Sequence, residues 1–388
     1  MSNLRGTNSV LLHGVIPTIK LKNISGSRKY PLPAPDCWRE NESRQDIGGM
    51  EYLDINPRII TGIKRAGLKT FESILSLSTP DIERSTNLSS SDVLILKTAV
   101  AQAVPKLPVV SALDILHRDC PETLVVSKLT TGCEIIDKAL RGGILSQGIT
   151  EIAGESASGK TQLCLQICLT VQLPLNLGGL NGGAAYICTE DIFPNKRLHQ
   201  MIQFFSRKTS LKLPSPVNFG DQIFIEHVSD IEDLTQCVKR KLPALLSKGK
   251  IKLVVVDSVA ALFRCEFEAW EMVKRSKYLT SLAANLHQLS HQYGVPIVCV
   301  NQVTDSMKTE DTRKHVPALG LTWANQVTCR VMLSRTQHQI SVPRQTVNDS
   351  VIGGFQTTVR HFEVIYAPHL PMLKVSFIVD QEGIKALT

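Results

Sequence analysis

Gly154-Glu155-Ser156-Ala157-Ser158-Gly159-Lys160-Thr161 fits the pattern G-x-x-x-x-G-K-[ST]. Its glycines let successive backbone N–H groups point at a bound anion, with no β-carbon blocking the approach. In this pattern Lys160 reaches the β- and γ-phosphates of a nucleoside triphosphate, and the Thr161 hydroxyl ligates Mg2+. The flanks agree. Gly148-Ile-Thr-Glu-Ile-Ala153 reads as a turn and a short buried strand, and Gln162 to Gln172, free of Gly and Pro, reads as a mostly buried helix. A helix start behind the loop adds unpaired N–H groups and the positive end of its dipole. Residues 154 to 161 are the expected ATP-binding loop.

Further along, Ala184-Ala-Tyr-Ile-Cys-Thr-Glu190 and Lys252-Leu-Val-Val-Val-Asp257 each read as a buried strand delivering a carboxylate. An acid at the end of a buried apolar run is costly to desolvate unless it faces a cation. Asp257 is thus expected to hold the Mg2+ shell, and Glu190 to orient the attacking water. Val295-Pro-Ile-Val-Cys-Val300 is a third strand, ending in Asn301-Gln302, with Gln302 expected to sense the γ-phosphate. Strands alternating with helices, each offering a polar residue at its carboxyl end, describe an α/β fold. Its twisted, mostly parallel sheet binds ligand along that edge.

The chain has 388 residues, 43% of them apolar, and a net charge of +8. That length suits two or three domains, and that charge permits a nucleic-acid partner without demanding one. Ten cysteines show no C-x-x-C pair and no zinc spacing, which points to a reducing compartment. No apolar run nears the ~20 residues of a membrane span, so the chain reads as soluble and intracellular.

Residues 1–49 lack a sustained period and carry no acid before Pro35, which fits a disordered tail, an organelle transit peptide or an over-extended reading frame. Residues 50–104 read as a small all-helical domain of four short helices with helix-hairpin-helix character. Such a bundle either meets a DNA backbone through turn amides or only packs. Pro105, Pro108 and Pro121 mark residues 105–122 as a linker, and residues 123–388 form the core, entered by a helix capped at Thr130-Thr131. Beyond Arg335, residues to about Thr358 read as a polar surface loop between strands.

Tyr186-Ile-Cys-Thr-Glu-Asp191, Leu253-Val-Val-Val-Asp-Ser258, Val300-Asn-Gln-Val303 and Ala318 to Asn325 together resemble the RecA-like core of the eukaryotic recombinases. Asp54 to Ile60, Phe263 to Phe267 and Ala367-Pro-His-Leu-Pro371 narrow the resemblance to the recombinase paralogues, from about Met50 to the C-terminus. It implies a RecA-like ATPase core behind a small helical domain, acting in homologous recombination and cross-link repair in the nucleus, also the cytoplasm, with the mitochondrion as a further possible site. It implies ATP and Mg2+ as cofactors, Glu190, Lys160 and Gln302 as catalytic residues, and Arg197 beside the adenine. Strand-exchange recombinases place an arginine where this chain has Ala157, so weak, DNA-dependent turnover is expected. Their linker carries Phe-x-x-Ala, where this chain has Val109-Val-Ser-Ala112. A smaller anchor buries less apolar area. A heteromer with the C-type paralogue and the main strand-exchange recombinase, docked through Val109 and Ala112, is therefore expected over a long homofilament.

RecA-like cores place mobile DNA-binding loops after the second acid and after the Asn-Gln strand. Arg264, Lys274 and Arg275 fall in the first segment, and Lys308, Arg313 and Lys314 in the second. Clustered cations suit the phosphates of single-stranded or branched DNA, although interleaved acids fit a solvated loop as well. Two other readings share the core. A hexameric helicase needs a basic finger that one sequence does not locate, and a nucleotide-gated adaptor would hold ATP with little or no turnover. A transporter ATPase is disfavoured, since no L-S-G-G-Q segment occurs.

Overall fold

The computed structural model describes residues 53–68, 70–104, 109–121, 124–210, 217–306, 314–345 and 351–387. The tail read over residues 1–49 lies outside them. The chain divides into two compact units, Met1–Val109 and Val110–Thr388.

In the first unit, four helices start at side-chain caps. Asn56 caps α1 (Pro57–Arg65), Thr70 caps α2 (Phe71–Ser76) and Ser78 caps α3 (Thr79–Thr86). Ser89 caps α4 (Ser90–Ala103), with Asp92 answering in a reciprocal box. Their apolar stripes meet in a core of Ile59, Ile63, Ile74, Ile82, Leu96 and Val100.

The second unit opens inside the stretch read as linker. Ser111 and Asp114 cap a short helix, α5 (Ala112–His117), which leaves Leu113 and Leu116 exposed. Next come β1 (Lys128–Leu129), α6 (Glu134–Ala139) and β2 (Ile144–Leu145), where β1 and β2 pair antiparallel. The helix expected from Thr130 thus begins later, at Glu134. Thr130 and Thr131 instead donate their hydroxyls to the Asp137 carboxylate, 2.7 Å away for Thr131, closing a loop before the helix. Short hydroxyl side chains compete with helical backbone in this way.

The rest alternates strand and helix: β3 (Ile149–Gly154), α7 (Lys160–Thr170), β4 (Gly183–Cys188), α8 (Asn195–Ser210), β5 (Ile223–His227) and α9 (Ile231–Gln236). A π-turn at Cys237–Lys241 leads to α10 (Leu242–Leu246), β6 (Ile251–Asp257), α11 (Val259–Cys265), α12 (Met272–Tyr293) and β7 (Ile297–Asn301). β8 (Val303–Ser306) and β9 (Lys314–Pro317) form a separate antiparallel ribbon. The chain finishes with α13 (Gly320–Ala324), β10 (Cys329–Gln345), β11 (Val351–Tyr366), β12 (Lys374–Val379) and β13 (Ile384–Ala386).

One nine-stranded sheet carries the order β13-β12-β11-β10-β3-β7-β6-β4-β5. From β10 to β5 every neighbouring pair is parallel, and from β10 to β13 every pair is antiparallel. Every residue of β3, β4 and β7 is buried, which explains their near-continuous apolar runs. One face packs under Leu163, Ile167 and Met201, the other under Leu279, Leu286 and Trp323. Where it is described, at residues 336–345 and 351–358, the polar stretch after Arg335 is strand and not loop. It pairs in β10–β11, with Ile340 opposite Thr357 and Val342 opposite Phe355. A ribbon solvated on its outward side takes polar residues on alternate positions, so low hydrophobicity did not mean irregular backbone.

Candidate nucleotide site

At the carboxyl edge of the parallel strands, β3 runs into the glycine-rich loop and the loop into α7. The close approach at Gly154 has a visible cause: a Cβ there would lie 2.4 Å from the Leu333 carbonyl oxygen and 2.7 Å from Ser158 Oγ. Gly159 sits at φ 105°, and Ala157 also takes positive φ. Among the described residues, Ser158 Oγ is buried with no hydrogen-bond partner. Lys160 folds its ammonium back onto the Gly154 and Glu155 carbonyls, 2.8 Å from each. Burial draws its pKa down, against the pull of Asp257 and Glu190.

Asp257 closes β6 opposite the loop and accepts from Thr161 Oγ1 at 2.9 Å and from Tyr186 Oη at 2.6 Å. Burial pushes this carboxyl up and Glu190 adds to the push, while those two hydrogen bonds and Lys160 oppose it. Glu190, two residues beyond β4, accepts from Ser258 Oγ and, at 2.8 Å, from Gln302 Nε2. Gln302 in turn accepts from Arg264. Lys160, Thr161, Glu190, Asp257 and Gln302 therefore share one cavity of ≈ 540 Å³. Arg197 lies across the loop in a second cavity of ≈ 620 Å³, where it donates to Gln162, Gln200 and the carbonyls of Asp380 and Gln381.

The fit to a Mg2+–nucleotide is carried by the donor set. A hydroxyl and a carboxylate 2.9 Å apart are hard oxygen ligands, while the nearby thiols Cys164 and Cys168 are buried and pushed up. Among the described residues no cluster of three or more acidic, His or Cys side chains could hold a metal alone. Mg2+ typically uses one or two carboxylates and completes its shell with waters and phosphate oxygens.

The residues read as DNA contacts are less united. The segment after β6 is mostly helical, with a short break over residues 266–271 between α11 and α12, and those helices bury Leu262, Phe263, Leu279 and Leu282. Arg264 ends α11, while Lys274 and Arg275 stand in the first turn of α12. There Lys274 pairs with Glu271 at 3.0 Å and Arg275 donates to the Phe263 carbonyl at 3.0 Å. Lys308 and Arg313 lie outside the described residues, and Lys314 opens β9. Val109 and Ala112 are both exposed, with Ala112 at the first position of α5.

Tyr186, Ser258 and Arg360 belong to the site although only spatial neighbours mark them. Tyr186 is an aromatic in an apolar strand, and its hydroxyl is the one signal available beforehand. Arg360 donates from β11 to the Ala157 carbonyl, a tie spanning 203 positions.

Comparison with known proteins decides the family. The Rad51 family model matches residues 123–350. This chain belongs to the Rad51 family. As a Rad51-family chain it carries an ATPase fold, and a second model, the XRCC3/RpoA-like helix-hairpin-helix domain, matches residues 50–104. It is 41% identical over 348 residues to the DNA repair protein XRCC3 of Bos taurus, covering 87% of this chain and 98% of the relative. It is likewise 41% identical over 353 residues to the DNA repair protein XRCC3 of Mus musculus, again covering 87% and 98%. The DNA repair protein rhp57 of Schizosaccharomyces pombe is 31% identical over 347 residues, covering 80% of this chain and 91% of the relative.

Proposed function

We propose that this Rad51-family chain is an ATP-binding, DNA-binding recombinase paralogue. It acts in homologous recombination repair of double-strand breaks and interstrand cross-links. On this reading it works in the nucleus, in a heteromer with the C-type paralogue, assisting the strand-exchange recombinase and the processing of branched DNA. Relatives that share nearly their whole length with it are named DNA repair proteins. The observation that carries the reading is the meeting of Lys160, Thr161, Asp257, Glu190 and Gln302 at one sheet edge.

Loop amides and Lys160 bind the phosphates, and Lys160 exchanges two carbonyl partners for phosphate oxygens. Thr161 and Asp257 would hold Mg2+, which when bound would neutralise charge developing on the phosphates. Glu190 accepts the proton of the attacking water, and Gln302 holds that carboxylate in place. Gln302 also joins Glu190 to Arg264, so a DNA phosphate drawing Arg264 away would reset the pair. One observation favours the adaptor reading of little turnover: Glu190 already accepts from two donors on the same oxygen.

Equilibrium dialysis with labelled ATP tests the core of this reading. Lys160→Ala is expected to lose tight ATP binding, and Glu190→Gln to bind and retain it. Equal affinity for wild type and Lys160→Ala would remove the nucleotide assignment.

A further inference from the structure

The phosphate loop separates two cavities of different chemistry. The ≈ 540 Å³ cavity carries Glu190 and Asp257, which suit the metal and the terminal phosphate. The ≈ 620 Å³ cavity is lined by Gln162, Arg197, Phe355, Arg360, Val379 and Gln381 among others. A triphosphate seated on Lys160 and Thr161 has this second cavity for its sugar and base. Its size falls in the roughly 300–1,000 Å³ range of small-ligand pockets. Two of its walls come from β11, in the ribbon read as a surface loop.

We infer that the β10–β11 hairpin caps the nucleoside end of the site from within the same chain, with Phe355 walling the base and Arg360 meeting the sugar–phosphate junction. This rests on the nucleotide reading above. Phe355 is half-buried and fixed in register opposite Val342, so its ring stands on a paired strand. Arg360 donates Nε to the Ala157 carbonyl at 3.3 Å and Nη1 to the Thr358 carbonyl at 2.7 Å. A guanidinium has five N–H donors, so these two bonds leave capacity for an anion. Its Cδ lies 3.6 Å from where a Cβ on Gly159 would sit, an ordinary contact distance, so the arginine stem packs along the loop. Burial and the neighbouring Arg335 both disfavour the charge on Arg360, a cost that a phosphate beside it would offset. A second tie runs from the Arg335 N–H to Glu155 Oε1 at 2.7 Å. The hairpin thus grips the loop at Glu155 and at Ala157.

The test uses the full chain with Mg2+ and three probes: ATP, ADP and inorganic tripolyphosphate. Phe355→Ala is expected to weaken ATP and ADP about tenfold and leave tripolyphosphate unchanged, while Phe355→Leu, which keeps an apolar wall and the fold, loses about threefold or less. Arg360→Met, which keeps the stem, is expected to weaken ADP and ATP alike by about tenfold. Wild-type ATP affinity in both Phe355→Ala and Arg360→Met, with Lys160→Ala inactive, overturns the cap and leaves the nucleotide reading intact. Equal loss of ATP and tripolyphosphate in Phe355→Ala also overturns it. Wild-type protein that binds neither ATP nor tripolyphosphate sinks the nucleotide reading itself.

Discussion

Glu151 is a fully buried carboxylate in the middle of β3, and four elements depend on it. It accepts from Asn301 Nδ2 at 2.6 Å, from Trp323 Nε1 at 2.9 Å and from Arg330, whose side chain is 14% exposed. Removing one partner of such a pair leaves the other charge buried and uncompensated, at a cost of roughly 3–5 kcal/mol. Glu151→Ala is expected to lower the unfolding free energy from urea melts by that amount, which lowers the midpoint at constant slope, and an unchanged midpoint would show the network to be idle. Cys188 makes a different residue-scale case. It lines the carboxylate cavity, yet burial, with Asp257 adding, pushes its thiol up to about 12. Iodoacetamide at pH 8 should therefore alkylate the exposed Cys265 and spare Cys188 until the chain unfolds, as peptide mass spectrometry would show. The loop and both strand-end acids were legible because their spacing is local. Glu151 was not, since its partner Arg330 lies 179 positions away and nothing near Glu151 announces it.

At the scale of elements, local chemistry read well wherever a cap or a period set the boundary. Ser89 accepts from the Asp92 N–H, and Asp92 holds Arg58 at 2.9 Å, so one cap serves two helices. Ser89→Ala is expected to cost about 1 kcal/mol in the first unit, followed by its own unfolding signal. A loss below a few tenths would mean that Asp92 caps α4 unaided. The reading failed where tertiary pairing overrode pattern. Residues 336–345 and 351–358 looked irregular because most of their side chains are polar, and pairing with a distant strand is invisible in a short window. The segment from Arg264 to Lys277 was expected to be a loop from resemblance, while the irregular part is confined to the break at residues 266–271 between two helices.

For the whole molecule, the exposed apolar side chains near the chain boundary of the two units matter most. Val109, Leu113 and Leu116 lie open to solvent around the Ser111 cap. The heteromer proposed above predicts that a partner covers them. Val109→Glu with Ala112→Glu should release that partner on co-purification. The folded monomer should remain, because a carboxylate at a helix start suits the dipole. Co-purification at wild-type stoichiometry would rule this docking out.

The sheet described above is unlike at its two edges. β13 is three residues long, whereas β5 presents five residues with Phe224 and Ile225 both exposed. An open strand with apolar side chains is a template for pairing with further copies. Handled alone and concentrated, the chain should therefore be colloidally fragile. Light scattering should rise with concentration at rest, well below the temperature at which the core melts, and solubility should be limited by one strand rather than by overall stability.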